Sequence, residues 1–220
     1  MFLVKHIILA ALLWLGGIQV SAASALLFNV ALDTSALFGV ATLLAFDFTD
    51  GDTLVNNTAN ISGFSADGVY DPAAATTAGD ATGQLNASVV LGDADAFNEL
   101  AQPIVLGNAL SFTLNLSNQF SGLGPPDRLT LSLLDGVSGL PLYSTDDPTG
   151  ADRLLSIDLN GGIPVVAAYQ SPSGGGALVQ VAGVSGLPEP PTVPLWMLGA
   201  RLGRHSLRLA SRRSRHRPPV

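Results

Sequence analysis

The sequence predicts an all-β fold, an antiparallel β-sandwich of jelly-roll or Ig-like type, and three observations lead to it. From Leu26 onward the chain reads in short alternating or apolar runs. Clusters of Gly, Asp, Asn and Pro separate those runs, and helical periodicity is scarce. The alternation is cleanest in Leu110-Ser111-Phe112-Thr113-Leu114-Asn115-Leu116, where the apolar residues share one face and Ser111, Thr113 and Asn115 the other.

Of the 220 residues, 47% are apolar and 12% charged, the balance of a folded body. An apolar start (1–25) and an Arg-rich end (188–220) leave 162 residues between them. A chain of that length buries roughly two thirds of the surface it would expose unfolded, enough for one sizeable core.

The expected strands run in order over residues 26–32, 42–48, 58–64, 84–91, 110–116, 129–134, 153–159, 165–169 and 177–181. The two-residue beat recurs in Phe46-Asp47-Phe48 within the second and in Leu129-Thr130-Leu131-Ser132-Leu133 within the sixth. Nine such segments fit two antiparallel sheets packed face to face. Asp50-Gly51-Asp52 follows Phe48 at hairpin spacing, and Asp67-Gly68, Gly92-Asp93, Asp135-Gly136 and Asn160-Gly161-Gly162 mark other strand ends. These residues supply positive φ and side-chain-to-backbone bonds at tight turns. Residues 71–83 are small, polar and unpatterned, and read as a surface loop. Residues 97–102 read as the body's single helical turn, 171–176 as another loop and 183–194 as a Gly- and Pro-rich linker. No repeat period of about 20–50 residues is visible, against solenoids and propellers.

Both flanks read as trafficking segments. Lys5 and His6 precede the unbroken run 7–18 (IILAALLWLGGI), then Gln19 and the small stretch Ser21-Ala22-Ala23-Ser24-Ala25. This is the order of a secretory signal, a signal helix removed by signal peptidase after Ala25 or, as second choice, after Ala23. Its twelve apolar residues fall short of the ~20 that a spanning helix needs. The expected plan is therefore a signal peptide over 1–25, a β-sandwich domain over 26–183 and a linker plus tail over 184–220.

The net charge of −7 conceals three regimes. Residues 1–25 carry +1, residues 26–187 carry sixteen acids against Arg128 and Arg153, and the tail from 188 carries seven arginines against Glu189. An acidic, lysine-free body repels phosphate, so nucleic acid is not an expected partner. Each body arginine follows an aspartate, Asp127 or Asp152, and a local surface ion pair is the expected role.

The body's side chains narrow its chemistry further. There is no cysteine, and His6, His205 and His216 all lie outside the body, so thiol nucleophiles, thiolate metal sites and a Ser-His-Asp triad have no components there. Glycoside hydrolysis needs a proton donor facing a second carboxylate, and Glu99 is the body's single glutamate. Neither catalytic nor cofactor-binding residues are expected. A Ca²⁺ site is the one metal option: Asp47, Asp50 and Asp52 are its candidate ligands, since Ca²⁺ favours six to eight oxygens and Asp-rich turns supply several. Against it, no Glu closes an EF-hand ring after Asp50-Gly51-Asp52, and a hairpin turn with solvated charges competes; Asp93 and Asp95 read as turn residues too. Asn56, Asn60, Asn86 and Asn115 begin Asn-x-Ser/Thr triplets, which suit strand and turn polar positions.

At Leu187-Pro188-Glu189-Pro190-Pro191-Thr192 the chain leaves its body, then gives Val193-Pro194-Leu195-Trp196-Met197-Leu198-Gly199-Ala200 and an arginine cluster. This triplet, apolar segment and basic end, behind a signal peptide, resemble the PEP-CTERM sorting signal. Leu27-Phe28-Asn29-Val30-Ala31-Leu32-Asp33-Thr34-Ser35, Asn56-Asn57-Thr58-Ala59-Asn60-Ile61-Ser62-Gly63-Phe64 and Leu154-Leu155-Ser156-Ile157-Asp158 resemble, in order, a recurrent class of secreted proteins carrying that signal. The resemblance implies that Pro188, Glu189 and Pro190 are recognised by an exosortase, a membrane-embedded sorting protease, and that the protein co-occurs with exopolysaccharide. The tail departs from the family pattern. Eight residues span about 12 Å as a helix before Arg201, against a hydrocarbon core near 30 Å. The resulting expectation is a non-enzymatic exported protein, transiently anchored in the membrane at most, with a structural or adhesive role at the cell surface or in an extracellular polysaccharide matrix. The alternative is a Ca²⁺-dependent carbohydrate-binding module.

Overall fold

The computed structural model describes residues 25–120, 122–172 and 178–184; the expected signal helix, residue Ala23, residues 173–177 and most of the expected linker and tail lie outside them. Thirteen strands carry the described chain: β1 (Ala25–Asp33), β2 (Ala41–Thr49), β3 (Thr58–Ala66), β4 (Val69–Tyr70), β5 (Thr76–Ala78), β6 (Ala81–Gly83), β7 (Ser88–Gly92), β8 (Phe97–Val105), β9 (Ala109–Ser117), β10 (Asp127–Leu134), β11 (Leu155–Leu159), β12 (Val165–Ala168) and β13 (Val179–Val184). They form two antiparallel sheets, a six-stranded one in the order β13-β1-β9-β3-β7-β6 and a seven-stranded one in the order β12-β11-β10-β2-β8-β4, with β5 also on β8. Helical structure among the described residues is limited to single 3-10 turns at Ser35–Leu37 and Pro72–Ala74.

Alternation decides which residues meet between the sheets. Phe28, Val30 and Leu32 of β1 and Leu110, Phe112, Leu114 and Leu116 of β9 turn inward from one sheet; Leu44, Phe46 and Phe48 of β2 and Leu129, Leu131 and Leu133 of β10 turn inward from the other. Phe46 and Phe112 join the two layers edge to face, with ring centroids 5.1 Å apart. Each such side chain contributes about 1.5–3 kcal/mol by leaving water, which makes this shared core the main stabilising element. Within the six-stranded sheet, the β3·β9 register slips between Ser62 and Ser65, where Gly63 adopts φ +61°, a bulge that a side chain would resist.

All nine expected strands have counterparts, and three expectations are corrected. Residues 97–102 do not form a helical turn but open the nine-residue strand β8, which pairs with β2 from Ala41↔Val105 to Thr49↔Phe97. Its inward positions include Asn98 and Gln102, both fully buried, so its hydrophobic beat is broken where a strand signal would be read. Asn98 Nδ2 donates to Phe48 O and Asp95 O, and Gln102 Nε2 to Asp71 O. Pro103 sits where β8 has no partner on its far side, between the stretches paired with β5 and β4, so its missing N–H breaks no ladder there. Second, residues 71–83 are not one loop: β5 and β6 lie within them, held by backbone pairing to β8 and β7 rather than by any side-chain pattern. Third, Asp50-Gly51-Asp52 is not a hairpin turn. β2 pairs with β8 and β10, while β3 belongs to the opposite sheet, so this segment crosses between layers.

Candidate functional site

That crossing builds a polar knot at one end of the body. Asn57, 1% exposed, stands at its centre. Its Nδ2 donates to Asn56 Oδ1, Gln119 O and Asp127 Oδ2, while its Oδ1 accepts from Gln119 N and Ser117 Oγ. Asp127, the first residue of β10, accepts from Gly51 N at 2.8 Å and Asp52 N at 3.3 Å. A β-carbon at Gly51 would collide with the carbonyl oxygens of Pro125 and Pro126, so glycine is required for that approach. Asp93 is buried as well and accepts from Asn56 N and Asn57 N. Burial holds its carboxyl above the ordinary range, against the pull of those two N–H groups, and the nearby Asp127 charge adds to the rise.

Of the three aspartates expected to share a Ca²⁺ ion, the structure brings two together and replaces the third. Asp50, Asp52 and Asp127 each place a carboxylate oxygen within 4.8 Å of the others. Asp47 is not among them. The carboxylates of this group already serve the backbone: Asp50 Oδ1 accepts from Thr53 N and Asp52 Oδ1 from Leu54 N. A cation there would use the remaining lone pairs. Asp127 lies 75 residues from Asp52, so no local spacing announces it as a third ligand.

Asp47 belongs to a second site, on the face of the seven-stranded sheet turned away from the core. In register it lies opposite Glu99 of β8 on one side and Thr130 of β10 on the other. Thr130 Oγ1 donates to Asp47 Oδ2 at 3.3 Å. Burial, then the charge and contact of the Glu99 carboxyl, push the Asp47 carboxyl up to about 7. Its buried Oδ1 has no donor among the described residues, which adds to the cost of holding the carboxyl charged.

Both body arginines reach this face, and neither pairs with its neighbour in sequence. Arg128 Nε and Nη2 hold Asp158 of β11 at 2.5 and 3.1 Å, a two-point contact across strands. Arg153 Nε lies 3.4 Å from Asp147 Oδ2, and its Nη2 donates to Thr149 Oγ1. Asp147 also accepts from Thr149 N, Thr149 Oγ1 and Arg153 N; burial raises its carboxyl, and these donors and the arginine outweigh it, leaving it below the ordinary range. A cavity of about 410 Å³ lies among Asp47, Asp50, Phe97, Arg128, Thr130 and Arg153, with Pro125 and Pro126 along its rim. No local sequence signal brings Phe97 and Arg153 together here, because strand β8 and the 143–153 excursion that carry them show no strand-like alternation.

Of the expected processing residues, Ala25 opens β1 opposite Ser117, while Ala23, Pro188, Glu189 and Pro190 lie outside the described residues. No described helix is long and apolar enough to cross a membrane. Compared with protein-family models, curated proteins and solved structures, the chain matches none.

Proposed function

We propose that this chain is an exported, non-enzymatic protein with a structural or adhesive role at the cell surface or in an exopolysaccharide matrix, released by signal peptidase and handled through Pro188-Glu189-Pro190 by an exosortase-type protease. Its working part is a β-sandwich of the jelly-roll rather than the Ig-like type. The nested pairs β1·β9, β2·β8 and β3·β7, with consecutive long strands alternating between sheets, favour that choice. A fold of this kind hosts many functions, so the site carries the argument. The observation that carries it is the employment of the body's carboxylates. Those of the knot are tied to backbone N–H groups, and Asp47 lies directly opposite Glu99 on the neighbouring strand and beside Thr130, which donates to it. Intact-mass analysis of the protein from fractionated native culture tests the reading. The expected chain begins at Leu26 or Ser24 and is recovered in the surface or medium fraction; an unprocessed chain confined to the cell interior overturns it.

The second reading, a Ca²⁺-dependent carbohydrate-binding module, is favoured by the grouping of Asp50, Asp52 and Asp127. Calorimetric titration with Ca²⁺ and exopolysaccharide decides it: saturable Ca²⁺ binding that Asp52→Asn abolishes supports it, and no heat with either sinks it.

A further inference from the structure

We propose that the cavity between Phe97 and Arg153 on the outer face of the seven-stranded sheet is a binding site for an uncharged glycan, working without a metal ion. The lining has the two elements that sugar rings require. Phe97 is half exposed at 50%, and with the exposed Pro125 it gives the cavity an apolar wall against which the C–H face of a ring can lie. Facing hydroxyl groups are Arg128, Arg153, Thr130 and the Asp47 carboxyl. The contacts described for both arginines use Nε and Nη2, leaving their Nη1 donors for a ligand. The Asp47 carboxyl, opposite Thr130 in the register, adds an oxygen-bearing group to the same wall. The volume, about 410 Å³, lies within the ~300–1,000 Å³ span of small-ligand sites.

Charge fixes the class of sugar. The body's two cations both reach this cavity, yet each is already matched by an aspartate, Asp158 or Asp147. Asp47, Asp50 and Glu99 then leave the surroundings net negative, which disfavours a uronate or a sulfated chain.

This inference deepens the adhesive reading and rests on it for access to glycan, but it places recognition in a cavity that Asp52 and Asp127 do not line, although Asp50 of the acidic group does. The test is calorimetry of the full chain with neutral gluco-, manno-, galacto- and xylo-hexasaccharides and, as the charged probe, oligogalacturonate, each with and without EDTA. Expected are saturable binding of at least one neutral probe, indifference to EDTA and to Asp52→Asn, and a loss of roughly tenfold in affinity in Phe97→Ala that Phe97→Trp restores. Circular dichroism of the variants checks that they fold. Binding of the charged probe alone, binding that EDTA removes, binding untouched by Phe97→Ala, or no binding to any probe overturns the assignment. Failure of export is read separately, from the culture fractions.

Discussion

The outer faces of the two sheets obey different rules. On the six-stranded sheet, β9 alternates strictly: Leu110, Phe112, Leu114 and Leu116 are buried, and Ser111 and Asn115 between them are exposed. On the seven-stranded sheet, the outward positions of β10 and β2 are buried too: Thr130 at 7%, Ser132 at 5% and Ala45 at 0%. One face is a solvated exterior, and the other is a polar interior layer in which every hydroxyl and carboxyl needs a partner. The chain thus keeps its chemistry on one side of the body, and the contrast can be tested by substitution.

The largest effect is expected at Ala45. Ala45→Asp places a charge in a fully covered outward position and should cost about 3–5 kcal/mol or prevent folding, read as a lower midpoint in urea denaturation. A smaller and opposite effect is expected at Asp47. Its folded pKa of about 7 lies above the ordinary 3.8, so between these values the folded state binds more protons than the unfolded one. The stability linked to that proton is fully present below pH 3.8 and is lost as pH rises through about 7. Asp47→Asn should remove this slope and raise stability at pH 8 by roughly 1–3 kcal/mol, with little change at pH 4. Denaturation midpoints at the two pH values check it, and a variant that keeps the wild-type slope would refute the raised Asp47 carboxyl. The smallest effect is expected at Ser111 on the opposite sheet: Ser111→Asp should shift stability by no more than about 0.5 kcal/mol, and a loss comparable to that of Ala45→Asp would erase the contrast.

The contrast also explains what could be read from the residues alone. Strands of the solvated sheet announce themselves, because one buried face and one wet face produce the two-residue beat. β8 escaped because Asn98 and Gln102 occupy inward positions, their side-chain N–H groups bonded to carbonyls of Phe48, Asp95 and Asp71 that only the fold supplies. β5 and β6 escaped because three-residue strands of small and polar side chains exist by virtue of their neighbours' backbones. The acidic site was half legible. Asp50 and Asp52 are two residues apart in sequence and stay together, whereas Asp47 alternates onto another face and Asp127 arrives from a distant strand. The arginine pairs show the same limit: adjacency suggested Asp127 and Asp152, and strand register selected Asp158 for Arg128.

One pairing bears on how the body behaves under tension. β1 and β13 run antiparallel side by side, Leu27 opposite Val184, and β13 is the outermost strand of its sheet. The points where the chain enters and leaves the described body are therefore next to each other. Force drawn between those two points would peel β13 from β1 one rung at a time instead of shearing the whole ladder at once. A protein stretched by its two flanks would yield gently at that seam, whereas load applied through one flank and a point elsewhere on the surface would not act along it.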